Sequence, residues 1–189
     1  MPIPLKVEKQ LFEFGDRWRS AFKYDGTDFY NKEAKRLGGE VKGKAESARA
    51  VDLIGLHEVS GLWLLEAKDF RGHRSANKRR IQGEVALEVA VKVRDTVAAL
   101  VGAARKPVTE FPAGKLMKAF ERNRPVTVVL WLEDDTFRDE AKAKHQLSVL
   151  NNVLKTQLAW LNARTLVLSS AVPNRINDLV VSNLPGAGR

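Results

Sequence analysis

The chain has 189 residues, 32 Lys and Arg against 23 Asp and Glu, a formal net charge of +9 and no cysteine. Its length and its 44% content of hydrophobic residues allow one domain with a sizeable core, which excludes global disorder. The lack of cysteine excludes disulfides, Cys-ligated zinc, iron–sulfur clusters and thiol catalysis. The excess of cations favours a polyanion as partner.

The N-terminal residues contain no apolar run typical of a signal peptide. No stretch of the chain approaches the length of uncharged, apolar sequence that a membrane span needs. We therefore expect a cytoplasmic protein that has no membrane partner.

The first predicted element is a helix over residues 6–22. Apolar residues recur there at spacings of three and four, as one face of a helix requires: Val7, Leu11, Phe14, Trp18 and Phe22. A short helix over 31–37 and a short strand over 40–45 are expected next.

Two apolar runs of strand length follow, over residues 51–57 and 62–70, and a short connection joins them. This pattern predicts a hairpin. Both runs are apolar on both faces, which is typical of interior strands in a covered sheet.

The rest of the chain alternates helices and strands. The predicted elements are a helix over 79–104, a short helix over 114–122, a strand over 125–132, a helix over 139–162 and a strand over 165–169. Crossovers through helices place the later strands parallel, which predicts a single α/β domain with helices on both faces of a mixed sheet. The leucine stripe over 147–161 either faces this sheet or forms a homodimer interface.

Three charged residues stand in the hairpin, where an apolar context makes unpaired charge costly. Asp52 opens the first strand, and Glu66 and Lys68 lie near the end of the second. If the hairpin is symmetric about Val59, Asp52 lies opposite Glu66, with Cβ atoms about 5 Å apart. Glu66 and Lys68 project to the same face. Two such carboxylates are hard oxygen ligands suited to Mg²⁺, although an ion pair with Lys68 is the alternative.

The Glu-x-Lys triplet is weak evidence by itself, because the chain contains it four times, at Glu33, Glu40, Glu66 and Glu140. Only the triplet at Glu66 combines a buried strand with an upstream Asp. Phosphodiester hydrolysis needs such a set: carboxylates that hold a metal ion at the scissile phosphate and a lysine beside the attacking water.

Asp52, thirteen intervening residues and Glu66-Ala-Lys68 resemble the PD-(D/E)xK nuclease superfamily, which has the restriction-endonuclease-like fold and includes Holliday-junction resolvases. Segment 61–72 is similar to the strand and Arg-Gly turn of nuclease-related domains. The resemblance covers about residues 5–133 as an αβββαβ core, with 134–184 as a helix–strand extension and 185–189 as a frayed tail. Val51, where the motif has proline, is a departure.

The resemblance implies further site residues. An acidic residue of the first helix would approach the metal, and Glu13 is the candidate, with Glu8 and Asp16 as alternatives. Gln82 matches a glutamine that assists catalysis in some branches of the superfamily, although it also fits an ordinary first-turn side chain. The peptide carbonyl of Ala67 would ligate the metal.

The cations concentrate in residues 71–80, which contain no acid and follow directly on the strand of Glu66. Five residues of this run are candidate phosphate contacts: Arg71, Arg74, Lys78, Arg79 and Arg80.

These features together predict a Mg²⁺-dependent deoxyribonuclease, with Mn²⁺ as a substitute metal. Asp52 and Glu66 are the expected metal ligands, and Lys68 is expected to position the attacking water. DNA is favoured over RNA as the partner, in isolation or within a larger defence or repair complex. The alternative is a non-cleaving nucleic-acid-binding or assembly subunit that retains the nuclease fold.

Overall fold

A computed structural model describes residues 2–38, 40–41, 44–45, 47–73, 80–120, 124–173, 176 and 178–186. Its sheets and helices give an α/β fold, which confirms the predicted class. The largest sheet has five strands, and a second, smaller sheet has three strands.

The five-stranded sheet is mixed, as predicted. Its strands are β3 (Trp18–Lys23), β6 (Leu53–His57), β7 (Gly61–Asp69), β8 (Val126–Glu133) and β9 (Arg164–Leu168). Strands β3, β6 and β7 pair antiparallel, whereas β7, β8 and β9 pair parallel. β7 and β8 are apolar on both faces because both faces of this sheet are covered.

The hairpin of β6 and β7 has the predicted register. Leu53 lies opposite Leu65, and Gly55 lies opposite Trp63. This is symmetry about Val59, so Asp52, just before β6, is brought to the level of Glu66.

The predicted helix over residues 6–22 is wrong. The chain forms β1 (Ile3–Val7), β2 (Gln10–Phe14) and β3 there, and β10 (Leu179–Asn183) completes the small sheet. In β2, Phe12 and Phe14 are buried while Leu11 and Glu13 are only partly so, which is the period of a strand. The turn between β1 and β2 contains Glu8 with a positive φ of 51°.

The four α-helices of the described residues pack on one face of the five-stranded sheet. They are α1 (Asp28–Lys32), α2 (Val85–Ala104), α3 (Ala113–Lys118) and α4 (Glu140–Gln157), and their buried residues share one core with Ile54, Leu62 and Leu64 of the sheet. The expectation of helices on both faces is wrong, because the small sheet covers the other face through Phe12, Phe14 and Leu179.

The leucine stripe of α4 belongs to the helix-side core. Leu147, Leu150 and Leu154 are buried there, which confirms the sheet-facing interpretation and leaves these side chains unavailable to a homodimer.

Short elements complete the fold. They are the 3₁₀ turns Ala34–Gly38 and Ala159–Leu161, the paired strands β4 (Glu40–Val41) and β5 (Lys44–Ala45), and a helical turn Arg80–Glu84 that is broken at Gly83. The predicted helix over 79–104 is therefore this turn followed by α2. The division into a core over 5–133 and a C-terminal extension stays a prediction. In the described part of the chain, every helix is too short or too polar to cross a membrane.

Candidate functional site

Two strand ends bring Asp52, Glu66 and Lys68 to one place. Glu66 and Lys68 alternate along β7 with residues that face the small sheet, so both side chains lie on the helix side, in line with Leu64. Asp52 is adjacent, and its Oδ2 accepts a hydrogen bond of 2.8 Å from the backbone N–H of Ala67. The sequence therefore predicted this juxtaposition correctly, although the roles of the three residues stay a prediction.

Glu66 is the most deeply placed of these residues. Its side chain has no exposed surface, whereas that of Asp52 is 11% exposed and that of Lys68 is 16% exposed. Lys68 Nζ lies 2.7 Å from Glu66 Oε1, so the ion pair that the sequence admitted as an alternative is present. A substrate would meet Lys68 and Asp52 before Glu66.

A second lysine joins the site from α2. Lys92 Nζ lies 2.5 Å from Glu66 Oε1 and 3.7 Å from Asp52 Oδ1, so one ammonium group bridges the two carboxylates. Sequence analysis missed Lys92. It stands three residues after Val89 and seven after Val85, both buried, and this helical spacing marks Lys92 as a cation directed towards the core.

Asp25 is a further acid that sequence analysis missed. It lies in the turn after β3, where the backbone N–H of Tyr24 donates to the carbonyl of Asp52. Burial, and then the charge of Asp52, raise the pKa of Asp25 above its ordinary value. Its Oδ1 is buried and has no hydrogen-bond partner within the described ranges. Nothing in the local sequence distinguishes this residue from an ordinary turn aspartate.

Burial and charge act against each other at Glu66 and Lys68. Burial raises the pKa of Glu66, the charge of Asp52 raises it further, and Lys68 and Lys92 offset only part of this. Burial by itself would lower the pKa of Lys68, but the charge and hydrogen bond of Glu66 outweigh it, so the pKa of Lys68 is raised. Lys68 is therefore an ammonium donor at neutral pH.

The oxygen atoms of the two carboxylates are suited to a hard cation. Among the described residues, Glu66 Oε2 is buried without a hydrogen-bond partner, and Asp52 Oδ1 has its ion-pair partner Lys92 only at 3.7 Å. No group of three carboxylates or imidazoles capable of holding a metal occurs in the described ranges. An ion would therefore complete its shell with backbone oxygen and water, which is ordinary for Mg²⁺. Ala67 supplies its N–H to Asp52, and its carbonyl as a ligand stays a prediction.

The acid expected from the first helix lies on a strand or in a turn instead, because the chain forms strands in place of that helix. Glu13 lies in β2 and projects away from Phe12 and Phe14, so the structure does not bring it to Asp52. Asp16 is exposed in the turn between β2 and β3. Glu8 lies in the turn between β1 and β2, close enough to Lys68 for its charge to raise the pKa of that amine, and its place at a metal stays a prediction.

The remaining predicted residues lie after β7. The backbone of Gln82 is in the broken turn Arg80–Glu84, and Arg74, Lys78 and Arg79 lie outside the described residues. Arg71 and Arg80 each have an acidic partner: Arg71 pairs with Asp69 at 2.6 Å, and Arg80 pairs with Glu88 at 2.8 Å. Part of the positive charge of this run is therefore compensated within the fold.

Comparison of the chain with protein-family models, with curated proteins and with solved structures finds no match.

Proposed function

We propose that the chain is a metal-dependent nuclease that hydrolyses phosphodiester bonds of DNA. The observation that supports this most is that Asp52 lies beside Glu66 at the end of a buried hairpin, with Lys68 two residues further on. Asp52 and Glu66 are the proposed ligands of Mg²⁺, for which Mn²⁺ would substitute. The proposal places the protein in the cytoplasm.

When bound, a divalent ion would polarise the phosphodiester and lower the pKa of a water molecule. Asp52 is oriented for this role, because the N–H of Ala67 holds Oδ2 and leaves Oδ1 on the side of Lys92, the lysine that also contacts Glu66. Lys68 is kept as a cation by Glu66. It therefore orients the water by donating a hydrogen bond and offsets negative charge on the phosphate, rather than removing a proton.

The restriction-endonuclease-like fold is part of the same proposal. The antiparallel strands β3, β6 and β7, the crossover through α2 and the parallel strand β8 agree with the last five elements of an αβββαβ core. The leading helix of that core is absent among the described residues. The short helix α1, between β3 and β6, does not replace it in chain order.

Lys92 supports a second candidate function. Its ammonium group already compensates both carboxylates, as expected of a protein that keeps the nuclease fold without cleaving. Such a protein would be a nucleic-acid-binding or assembly subunit. It would bind DNA in a salt-sensitive manner and would not need Asp52.

A cleavage assay separates the two candidates. The purified chain would be incubated with supercoiled DNA, linear duplex DNA, single-stranded DNA and RNA, each with Mg²⁺, Mn²⁺ or EDTA. The nuclease proposal predicts cleavage of at least one DNA form with either metal and none with EDTA. Binding of DNA without cleavage under any of these conditions would favour the assembly subunit.

A further inference from the structure

A cavity on the helix side lies at the opposite end of β6 from the carboxylates. Its volume is about 220 Å³, and its wall joins the end of β6, strand β3, helix α3 and the segment before β8. Leu56 and Ser20, which are partners across β3 and β6, lie in this wall. The cavity therefore belongs to the same face of the sheet as Asp52 but to its other end.

Positive charge dominates the wall of this cavity. Four exposed cations from three segments contribute to it: Arg19, Lys115, Lys118 and Arg124. In the part of the chain that the structure describes, none of the four forms an ion pair. The acid in the same wall, Glu58, has its own partner in Arg17 at 3.7 Å.

Like charges around one concavity repel one another, and an anion bound there would reduce this repulsion. The wall also contains a polar group with no internal partner. The hydroxyl of Ser20 is buried and forms no hydrogen bond within the described ranges. A phosphate group would offset part of this positive charge and accept hydrogen bonds from the cations.

We propose that this cavity binds a backbone phosphate of the nucleic acid, at a distance from the scissile bond. This inference rests on the proposed function. Leu56 is four residues from Asp52 along an extended strand, which is about 13 Å at roughly 3.3 Å per residue. That length corresponds to about four base-pair steps of duplex DNA. A duplex is therefore long enough to span the separation between the carboxylates and the cavity.

The test is the binding of a fluorescently labelled DNA duplex in EDTA, which prevents cleavage, measured by anisotropy over a series of salt concentrations. The variant is Lys115→Ala with Lys118→Ala. The matched control is Lys6→Ala with Lys155→Ala, which removes the same charge from exposed positions on β1 and α4. All four lysines are exposed, so both double variants keep their folded core.

We expect the cavity variant to lose about tenfold or more in affinity and the magnitude of its salt slope to fall by about 0.9, since one neutralised phosphate contributes about 0.9. The control should keep the slope of the wild type. Equal losses in both variants, or no binding by the wild type, would overturn the phosphate site. Wild-type binding without cleavage in Mg²⁺ would instead overturn only the nuclease proposal.

Discussion

Lys92 Nζ lies 2.5 Å from Oε1 of Glu66, so a lysine of α2 forms an ion pair with a strand carboxylate whose side chain is fully buried. The same ammonium group lies 3.7 Å from Oδ1 of Asp52. It therefore supplies the positive charge that two adjacent carboxylates require when no metal is bound. A divalent ion at this site would compete with Lys92 for the same oxygens.

Replacement of Lys92 tests this competition. Lys92→Met is expected to lower the unfolding free energy of the metal-free protein by about 2 kcal/mol, because it leaves Lys68 as the one remaining ion-pair partner of the buried Glu66 carboxylate beside the charge of Asp52. Mn²⁺ should then stabilise the variant more than the wild type. Thermal unfolding and calorimetric titration with Mn²⁺ measure both effects, with Arg94→Met as the control on the exposed side of α2. If the variant has the stability and the Mn²⁺ response of the wild type, Lys92 does not compensate the charge of the two carboxylates.

Asp52 is expected to bind metal through its charge and to support the strand through a hydrogen bond. Asp52→Asn removes the charge but keeps an oxygen that can accept from the N–H of Ala67. We expect Mn²⁺ affinity to fall by roughly tenfold or more while the melting temperature changes little. Asp95→Asn is the matched control, because Asp95 also accepts a backbone N–H, from Arg49, but outside the site. Unchanged Mn²⁺ affinity in a folded Asp52→Asn variant, or an equal loss in Asp95→Asn, would contradict the assignment.

The pair of Asp69 and Arg71 predicts a specific dependence of stability on pH. Burial alone would raise the pKa of Asp69, but the hydrogen bonds and charge of Arg71 outweigh it and lower this pKa below its ordinary value of 3.8. The contribution of this pair is therefore fully present above the ordinary value and is lost as pH falls through the lowered pKa.

Asp69→Asn should accordingly lower the unfolding free energy by about 2 kcal/mol near neutral pH. The difference from the wild type should shrink below the ordinary pKa of 3.8. Urea unfolding of both proteins, from neutral pH to below pH 3.8, measures this difference in unfolding free energy. Asp28→Asn breaks an exposed pair with Lys32 and should change stability much less than Asp69→Asn does. A difference that persists at acid pH would show that the charge of Asp69 is not the cause.

Gly61 permits the tight end of the hairpin that aligns Asp52 with Glu66. Its φ is 76°, and a Cβ there would lie 2.2 Å from the carbonyl oxygen of Pro125. Gly61→Ala is therefore expected to cost about 3 kcal/mol of unfolding free energy, from strain and overlap together. Gly102→Ala, in α2 with no atom near its Cβ, should instead stabilise by about 0.5–1 kcal/mol. Denaturant unfolding measures both variants. A change of the same sign in the unfolding free energy of Gly61→Ala and of Gly102→Ala would contradict this account.

The sequence was most informative where the hydrophobic pattern of a segment and the length of that segment indicated the same type of element. The runs that became β6 and β7 are apolar on both faces and short, so their type, their symmetry about Val59 and the position of Asp52 beside Glu66 could be predicted. The leucine stripe of α4 likewise identified its buried face.

The prediction of a helix over residues 6–22 is wrong because the apolar residues of this segment fit both the period of a helix and the period of a strand. Val7, Phe14 and Trp18 fit a helical spacing, yet the chain turns after β1 and again before β3, so each segment is a separate strand. Lys92 and Asp25 join the site through tertiary packing, which local patterns do not specify. β10 was not predicted, and it pairs with β2 from the far end of the chain.

The most direct test of the proposed nuclease is a comparison of two lysines that share one sequence context. Lys68 and Lys142 both follow Glu-Ala, but Lys68 is largely buried beside Glu66, whereas Lys142 is exposed on α4. Single-turnover cleavage of the preferred DNA form in Mg²⁺ would be measured for Lys68→Ala and Lys142→Ala. We predict that the first loses at least about a hundredfold in rate while it remains folded, as circular dichroism would check, and that the second cleaves like the wild type. Cleavage that survives Lys68→Ala would contradict the assignment of the site.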